Sequence, residues 1–206
     1  MLDASHPLSS HWSIEMNKAL RAGIMSALLV AGLGIAPAVP AVSAPVPSAP
    51  ASAPYCGITW GSGADHVTGT SSARISNVRA GEHTCYDRLV IDLKGKIKGY
   101  DVRYVKAVYT EGQGRKVPLA GTADLRIIVN AVAYDSAGHR TYNPKNNAKA
   151  VNVTGMRTFK QVAFLGSFEG QSSFGLGVRA RLPFRSFVLA GPGAGSRLVI
   201  DVAHRW

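Results

Sequence analysis

The sequence predicts an all-β fold, an antiparallel β-sandwich formed by a single domain, with a small β-barrel as the alternative. Two observations support this class. No long helical period appears after residue 37, and eight strand-like segments follow one another at short spacing between glycine-containing turns. The 22 glycines of the 206-residue chain fit the many tight turns that such a fold needs.

The N-terminal part of the chain has the pattern of a secretory signal peptide. Lys18 and Arg21 precede an apolar run over residues 22–35, which is followed by small residues. A membrane-spanning helix needs about 20 apolar residues, so this run is too short to predict a stable membrane span. Residues 16–44 are therefore predicted to be a signal peptide, and the protein is expected to be secreted or associated with the cell wall.

The signal peptide sets the remaining domain limits. Met16 stands just before the basic pair and is an alternative start, so residues 1–15 are either a wrongly assigned start or an extension of the leader. Residues 45–54 consist mainly of Pro, Ala and Ser and are predicted to be an extended linker. Residues 55–206 remain as one folded domain, long enough to bury a sizeable core.

Cys56 and Cys85 are the only cysteines of the chain. Because exported proteins meet an oxidising environment, this pair predicts a disulfide, and two free thiols are the alternative. Closing a loop of about 30 residues would stabilise the fold by roughly 3–4 kcal/mol in the chain-entropy model.

The predicted strands are rich in β-branched and aromatic residues, and several alternate between apolar and polar side chains. Residues 136–150 form the one long loop, and residues 146–151, at its end, are expected to form a short helix. Residues 191–195 lack the Lys-Ser/Thr ending of a phosphate-binding loop and are expected to be a hairpin turn. In chain order, the predicted strands are 74–78, 88–93, 100–109, 125–134, 158–168, 173–181, 184–190 and 197–203.

A hexapeptide occurs twice within these strands. Residues 88–93 read RLVIDL and residues 197–202 read RLVIDV, with five of the six positions identical. The two copies are predicted to occupy equivalent positions in the fold. Within one strand, an Arg and an Asp four residues apart lie about 13 Å from each other and cannot pair directly. Each of them therefore requires a partner on a neighbouring strand, or solvent.

Further segments accompany the two hexapeptides. They are YCGITWGS at 55–62, YDRLVID at 86–92, the turn at 168–170, GLGVR at 175–179 and the closing strand at 197–206. With these segments the chain resembles the AMIN-like domain family of secreted or lipid-anchored actinobacterial envelope proteins. The better-known AMIN domains are β-sandwiches that tether periplasmic amidases and secretins to peptidoglycan. The resemblance therefore implies a non-catalytic role in binding the cell envelope.

Five residues are candidates for ligand binding. Arg88, Asp92, Arg197 and Asp201 could hydrogen-bond sugar hydroxyls and a peptide carboxylate, or they could form structural pairs on a half-exposed face. Trp60, beside a Gly-Ser-Gly turn, could stack on a sugar ring or pack against the disulfide. The sequence leaves both alternatives open.

The charge of the chain is strongly basic. The formal net charge is +11 at pH 7, and the basic and acidic residues of the first 44 positions cancel, so the whole excess belongs to the folded part. Such a surface attracts polyanions. Lys94, Lys96 and Lys98 recur with the period of a strand and would share one face in an extended segment, which makes them candidate polyanion-binding residues. Nucleic acid fits this charge but does not fit export.

The histidines and cysteines form no metal-binding pattern, and no Gly-x-Ser-x-Gly nucleophile motif is present. We therefore expect no cofactor, no metal and no enzymatic activity. The expected partner is peptidoglycan or an anionic wall polymer. A small hydrolase acting on the cell wall is one alternative, and a module that binds another envelope protein through a sheet edge is the other.

Overall fold

The computed structural model describes residues 53–206. The predictions for residues 1–15 and 16–44, and for all but the last two residues of the 45–54 linker, lie outside the described residues. No helix in residues 53–206 has the length and apolar character that crossing a membrane requires.

The described chain folds into β-strands joined by turns and two short 3-10 turns, at Tyr55–Gly57 and Asn147–Lys149. The strands are β1 (Asp65–Val67), β2 (Arg74–Glu82), β3 (Tyr86–Lys94), β4 (Tyr100–Val105), β5 (Val108–Tyr109), β6 (Lys116–Val117), β7 (Ala123–Val129), β8 (Phe159–Phe168), β9 (Gln171–Val178), β10 (Phe184–Ala190) and β11 (Ser196–Ala203).

Two antiparallel sheets make up most of the fold. One has the strand order β1-β4-β7-β9-β8 and the other has the order β10-β11-β3-β2, while β5 and β6 pair separately. Leu89, Ile91, Leu198 and Ile200 point inward from the four-stranded sheet, are completely buried, and share one core with Phe174 of the five-stranded sheet. The predicted antiparallel β-sandwich is therefore confirmed. The barrel alternative is wrong, because each sheet ends in edge strands and does not close on itself.

Two predicted strands continue at least four residues past the end of the observed strand. The segment 100–109 is interrupted after Val105, because the chain leaves the sheet there and Val108 packs with Ala163 and Leu165 in a second, smaller core. The segment 125–134 ends at Val129. The short strands β1 and β6 were not predicted, and the helix expected at 146–151 is the 3-10 turn Asn147–Lys149.

The segment 106–122 covers part of the five-stranded sheet on the side that points away from the core. It lies so close to β9 that a Cβ would be crowded at Gly175 and would clash with the backbone at Gly177. A Cβ at Gly175 would lie 3.0 Å from a methyl carbon of Leu119, and a Cβ at Gly177 would overlap the carbonyl oxygen of Ala120. The four-stranded sheet carries no comparable cover from this segment.

The two copies of the repeated hexapeptide are the two middle strands of the four-stranded sheet, and they pair with each other. In the antiparallel register of β3 and β11, Arg88 lies opposite Asp201 and Asp92 lies opposite Arg197. Each copy also has one outer antiparallel neighbour, β2 beside β3 and β10 beside β11. The two copies therefore occupy equivalent positions related by a local two-fold axis, and their Arg and Asp residues are complementary across it.

A buried carboxylate joins the two sheets. Asp87 of β3 is completely buried, and its Oδ2 accepts hydrogen bonds from the backbone N–H groups of Thr158 at 2.6 Å and Phe159 at 2.9 Å, where β8 begins. Its Oδ1 lies 2.9 Å from Nε2 of His204, which directly follows β11. An aspartate next to a histidine is common in catalytic sites, but this pair is enclosed in the interior, and one of the two carboxylate oxygens is occupied by two backbone donors. Its role is structural.

We expect Asp87→Ala to lower the free energy of unfolding by about 3 kcal/mol or more, because two buried backbone N–H groups would lose their acceptor. Asp92→Ala, on the opposite face of the same strand, is the matched control and should change stability by less than about 1 kcal/mol, because its ion pair with Arg79 is partly exposed to solvent. Urea unfolding followed by circular dichroism measures both. Equal losses in the two variants would contradict the assignment.

The disulfide predicted from the sequence is confirmed. Cys56, in the first 3-10 turn, is bonded to Cys85, which directly precedes β3, and their Cα atoms lie 6.4 Å apart. The bond ties the segment before β1 to a middle strand of the four-stranded sheet. It closes a loop between positions 29 residues apart.

Thiol labelling of the folded, non-reduced protein should detect no free cysteine. Cys56→Ser and Cys85→Ser should each lower the free energy of unfolding by roughly 3–4 kcal/mol, since both open the same loop in the unfolded chain. The double variant should lose no more than either single variant. Additive losses would show that the cysteines act separately and not through one bond.

Candidate functional site

The alternation of side chains along the strands gives the four-stranded sheet a charged outer face. Leu89, Ile91 and Leu93 of β3 point into the core, so the residues between them point outward. The same alternation holds in β2, β10 and β11. We call this surface the outer face, and it carries Asn77, Arg79, Tyr86, Arg88, Val90, Asp92, Lys94, Arg185, Phe187, Arg197, Val199 and Asp201.

One end of the outer face holds two arginines on a single buried carboxylate. Nε and Nη2 of Arg88 donate to the two oxygens of Asp201 at 2.6 and 2.9 Å. Arg185 on β10 donates to Oδ2 from Nε at 2.9 Å, and its Nη2 lies 2.8 Å from the same oxygen in an ion pair. The register explains the arrangement, because Asp201 has Arg88 as its partner on one side and Arg185 on the other.

The burial of this group is uneven. The Asp201 side chain is completely buried, whereas those of Arg88 and Arg185 remain 24% and 33% exposed. The hydrogen bond to Asp201 raises the pKa of Arg88 and outweighs the opposing effect of burial. Two guanidinium groups share one carboxylate, so the group as a whole keeps a positive charge and presents its remaining N–H donors at the surface.

Three aromatic rings surround these arginines. The guanidinium carbon of Arg185 lies 5.5 Å from the ring centre of Trp60 and 5.1 Å from that of Phe187. The guanidinium carbon of Arg88 lies 5.1 Å from the ring centre of Tyr86. Distances of this size allow cation–π attraction. We call Arg88, Arg185 and Asp201 with these rings the Asp201 cluster.

Trp60 is held in place within the Asp201 cluster. Its Nε1 donates to the backbone carbonyl of Tyr55 at 2.9 Å, and its ring meets Tyr86 edge to face at a centre-to-centre distance of 6.0 Å. The sequence offered Trp60 either as a sugar-stacking residue or as packing for the disulfide. The structure brings it together with two of the other candidates, Arg88 and Asp201. Whether it stacks on a sugar stays a prediction.

The other end of the outer face holds Asp92 in a different arrangement. Arg79 donates to its two oxygens from Nε at 3.0 Å and from Nη2 at 3.2 Å, and Asn77 donates from Nδ2 at 3.3 Å. Arg197 lies directly opposite Asp92 in the register, but its Nη2 donates to the backbone carbonyl of Ala190 at 3.0 Å. The two candidates Asp92 and Arg197 are thus opposite each other in the register, but their side chains form no ion pair or hydrogen bond with each other.

A cleft of about 660 Å³ opens at this end, between β2, β3 and the loop that joins β10 to β11. We call it the Asp92 cleft. It is lined by Ser76, Asn77, Arg79, Asp92, Leu93, Lys94, Gly95, Pro192, Ala194, Gly195, Ser196 and Arg197.

The candidate lysines are all exposed but do not belong to one strand. Lys94 is the last residue of β3, and Lys96 and Lys98 lie in the loop that follows. Ile97 between them is buried, so the period-two exposure expected for a strand is kept in an irregular segment. Of the three, Lys94 lines the Asp92 cleft.

The sequence candidates did not include four outer-face residues that make ion pairs or cation–π contacts there, namely Arg79, Tyr86, Arg185 and Phe187. A usable signal was present for two of them, since Arg185 and Phe187 alternate within a correctly predicted strand. Their proximity to Asp201 follows from the order of the strands, which the local sequence does not specify. In residues 53–206, no three His, Cys, Asp or Glu side chains are grouped so that they could hold a metal ion.

A family model for the AMIN-like domain matches residues 73–204, which include both repeated hexapeptides and every strand from β2 to β11. The chain belongs to the AMIN-like domain family. Comparison with curated proteins and with solved structures gave no significant match. Membership in the family indicates an envelope- or peptidoglycan-related module, and AMIN-like domains are generally non-catalytic binding domains. Trp60 and Cys56 lie before the matched range of this AMIN-like domain, whereas the four Arg and Asp candidates lie inside it.

The two ends of the outer face should respond differently to mutation. Asp201→Ala leaves two partly buried arginines side by side without their carboxylate and should lower the free energy of unfolding by about 2 kcal/mol. Arg197→Gln removes no ion pair and should lower it by less than about 1 kcal/mol. Thermal and urea unfolding of both variants measure the difference. If Arg197→Gln were the more damaging change, the assignment of the structural pair to the Asp201 cluster would be wrong.

Proposed function

We propose that this AMIN-like domain is a secreted, non-catalytic module that associates with the cell wall, binding peptidoglycan or an anionic wall polymer through its outer face. The observation that carries the proposal is the charge of that face. It holds five cationic side chains, Arg79, Arg88, Lys94, Arg185 and Arg197, against the two carboxylates of Asp92 and Asp201. Family membership supplies the envelope context.

The surface is suited to a polymer because its charges are spread over all four strands of the sheet. Lys96 and Lys98 are exposed in the loop that follows Lys94 and add two positive charges close to it in the chain. A polyanion lying along such a face gains many weak attractions without a deep pocket, and these weaken as salt shortens the screening length from about 8 Å at physiological ionic strength to about 3 Å at 1 M.

The aromatic rings of the Asp201 cluster add a second kind of contact. Trp60, Tyr86 and Phe187 lie beside arginines that keep unused N–H donors, and sugar rings are bound in general by such a combination of aromatic faces and polar groups. This end of the face therefore suits the glycan part of a wall polymer.

Sedimentation with purified cell-wall sacculi tests the proposal. The protein should be retained on intact sacculi at low salt, and retention should fall steeply as the salt concentration rises to about 1 M. Removing the anionic polymers from the sacculi separates the ligands: loss of retention assigns binding to those polymers, and persistence assigns it to peptidoglycan. Retention that does not change up to 1 M salt would contradict the electrostatic mechanism.

A matched pair of variants locates the binding surface. Changing Lys94, Lys96 and Lys98 together to Gln should weaken retention at least roughly tenfold, since each lysine near an anionic surface contributes on the order of 1 kcal/mol. Changing Lys106, Lys116 and Lys145 to Gln removes the same charge from exposed positions away from the outer face and should weaken it much less. Equal effects would show that only net charge matters.

Two outcomes favour the alternative functions. Release of soluble fragments from the sacculi would identify a wall-acting hydrolase. Absence of retention on every form of sacculus would overturn wall binding and favour a protein partner. For that case the exposed Val188 and Leu189 on the edge strand β10 are the first surface to examine.

A further inference from the structure

The local two-fold symmetry of the four-stranded sheet makes the two ends of the outer face comparable. Around the Asp201 carboxylate, both residues opposite it in the register, Arg88 and Arg185, bind it. Around the Asp92 carboxylate, the opposite residues are Arg197 and Asn77, and the hydrogen bonds come from Asn77 and from the diagonal Arg79. Of the two hexapeptide arginines, Arg88 forms an ion pair with a carboxylate, whereas Arg197 forms none within residues 53–206.

The Arg197 guanidinium is held in place by one hydrogen bond, but not all of its N–H donors have a partner. Its Nη2 is held by the backbone carbonyl of Ala190, while its Nε is buried and has no hydrogen-bond partner in the described part of the chain. Buried donors in folded proteins almost always have a partner, and leaving one unpaired destabilises the fold. Its neighbour on β10 is Leu189, whose side chain has no hydrogen-bond acceptor. An acceptor from outside the protein would bind this guanidinium at Nη1, which is not buried and makes no hydrogen bond within residues 53–206.

The charges of the Asp92 cleft identify the kind of acceptor. The cleft is lined by Arg79, Lys94 and Arg197 and by one carboxylate, Asp92. That carboxylate is already paired with Arg79. Two positive charges, those of Lys94 and Arg197, are left without an ion-pair partner among residues 53–206. A site with an arginine fork and a second cation is suited to an oxyanion such as a phosphate or a carboxylate.

The walls of the cleft are fixed by the fold. The loop after β10 runs so close to β3 that a Cβ on Gly195 would lie 2.7 Å from the carbonyl oxygen of Leu93. Ser196 anchors the floor, because its hydroxyl donates to the carbonyl of Gly95 at 2.8 Å and accepts from the N–H of Ile97 at 3.0 Å. The volume of about 660 Å³ is in the range of small-ligand sites.

We propose that the Asp92 cleft binds one oxyanion group, with Arg197 and Lys94 as the residues that hold it. The oxyanion is either a phosphate of an anionic wall polymer or a carboxylate of a wall peptide. This assignment of a source rests on the proposed function, whereas the oxyanion site itself rests on the geometry of the cleft.

Nuclear magnetic resonance titration of the purified protein tests the site with two probes, inorganic phosphate and acetate, against sodium chloride at matched ionic strength. We expect saturable shifts confined to residues that line the cleft, namely the side-chain N–H signals of Arg197 and the backbone amides of Lys94, Gly95 and Gly195. A response to phosphate alone assigns the site to a phosphate-bearing polymer, and a response to both probes assigns it to carboxylates as well.

Two variants make the result specific. Arg197→Gln should weaken the binding of phosphate at least tenfold while the protein keeps its folded spectrum. Arg115→Gln, which removes the same charge from an exposed turn between β5 and β6, should leave the titration unchanged. Shifts that do not saturate, that spread over all basic residues, or that persist in Arg197→Gln would overturn the proposal.

The outcome is separable from that of the wall-binding proposal. Saturable phosphate binding in the cleft together with no retention on sacculi would overturn wall association and support the oxyanion site. Retention on sacculi with no response of the cleft to either probe would overturn the oxyanion site and support wall association.

Discussion

The antiparallel pairing of β3 with β11 is the constraint on which the rest of the structure depends. The two strands present the same hexapeptide in opposite directions, so each Arg meets an Asp and the apolar residues between them meet one another. Because successive side chains point to opposite faces, a slip of one residue would turn Leu89 and Ile91 outward and the arginines into the core. The Asp201 carboxylate is completely buried and is stabilised there by its ion pairs with Arg88 and Arg185. Any other register would separate these charges, so alternative registers are strongly disfavoured.

Much of this architecture follows from the sequence, because its signals are local. Alternation, glycine turns and the repeated hexapeptide predict an antiparallel sandwich, and the pair of cysteines predicts the disulfide. The break after Val105 was not predictable from alternation, since it depends on where Val108 finds a second core with Ala163 and Leu165. The same limit applies to the site. Arg88 and Asp201 were identified as candidates, but Arg185 joins them only because β10 lies beside β11.

The strand pairing around the two hexapeptides is symmetric, but the side chains at its two ends are arranged differently. At one end, two arginines close on a carboxylate and aromatic rings cover them, which gives a stable structural pair. At the other end, Asp92 forms its ion pair with Arg79, although the register places Arg197 opposite it, and a cleft lies beside them. One repeated segment has thus produced both a structural interaction and a candidate binding site. The two readings of the Arg and Asp residues that the sequence left open need not exclude each other.

The separation of the two hexapeptides along the chain has a consequence for folding. The centre of the four-stranded sheet consists of β3 and β11, and seven other strands lie between them in the chain. β3 can pair with its chain neighbour β2 by closing a short turn, whereas its pairing with β11 requires the closure of a long loop. Because long-range pairing slows folding, the Asp201 cluster, which needs β3, β10 and β11 together, is expected to form after the hairpin of β2 and β3.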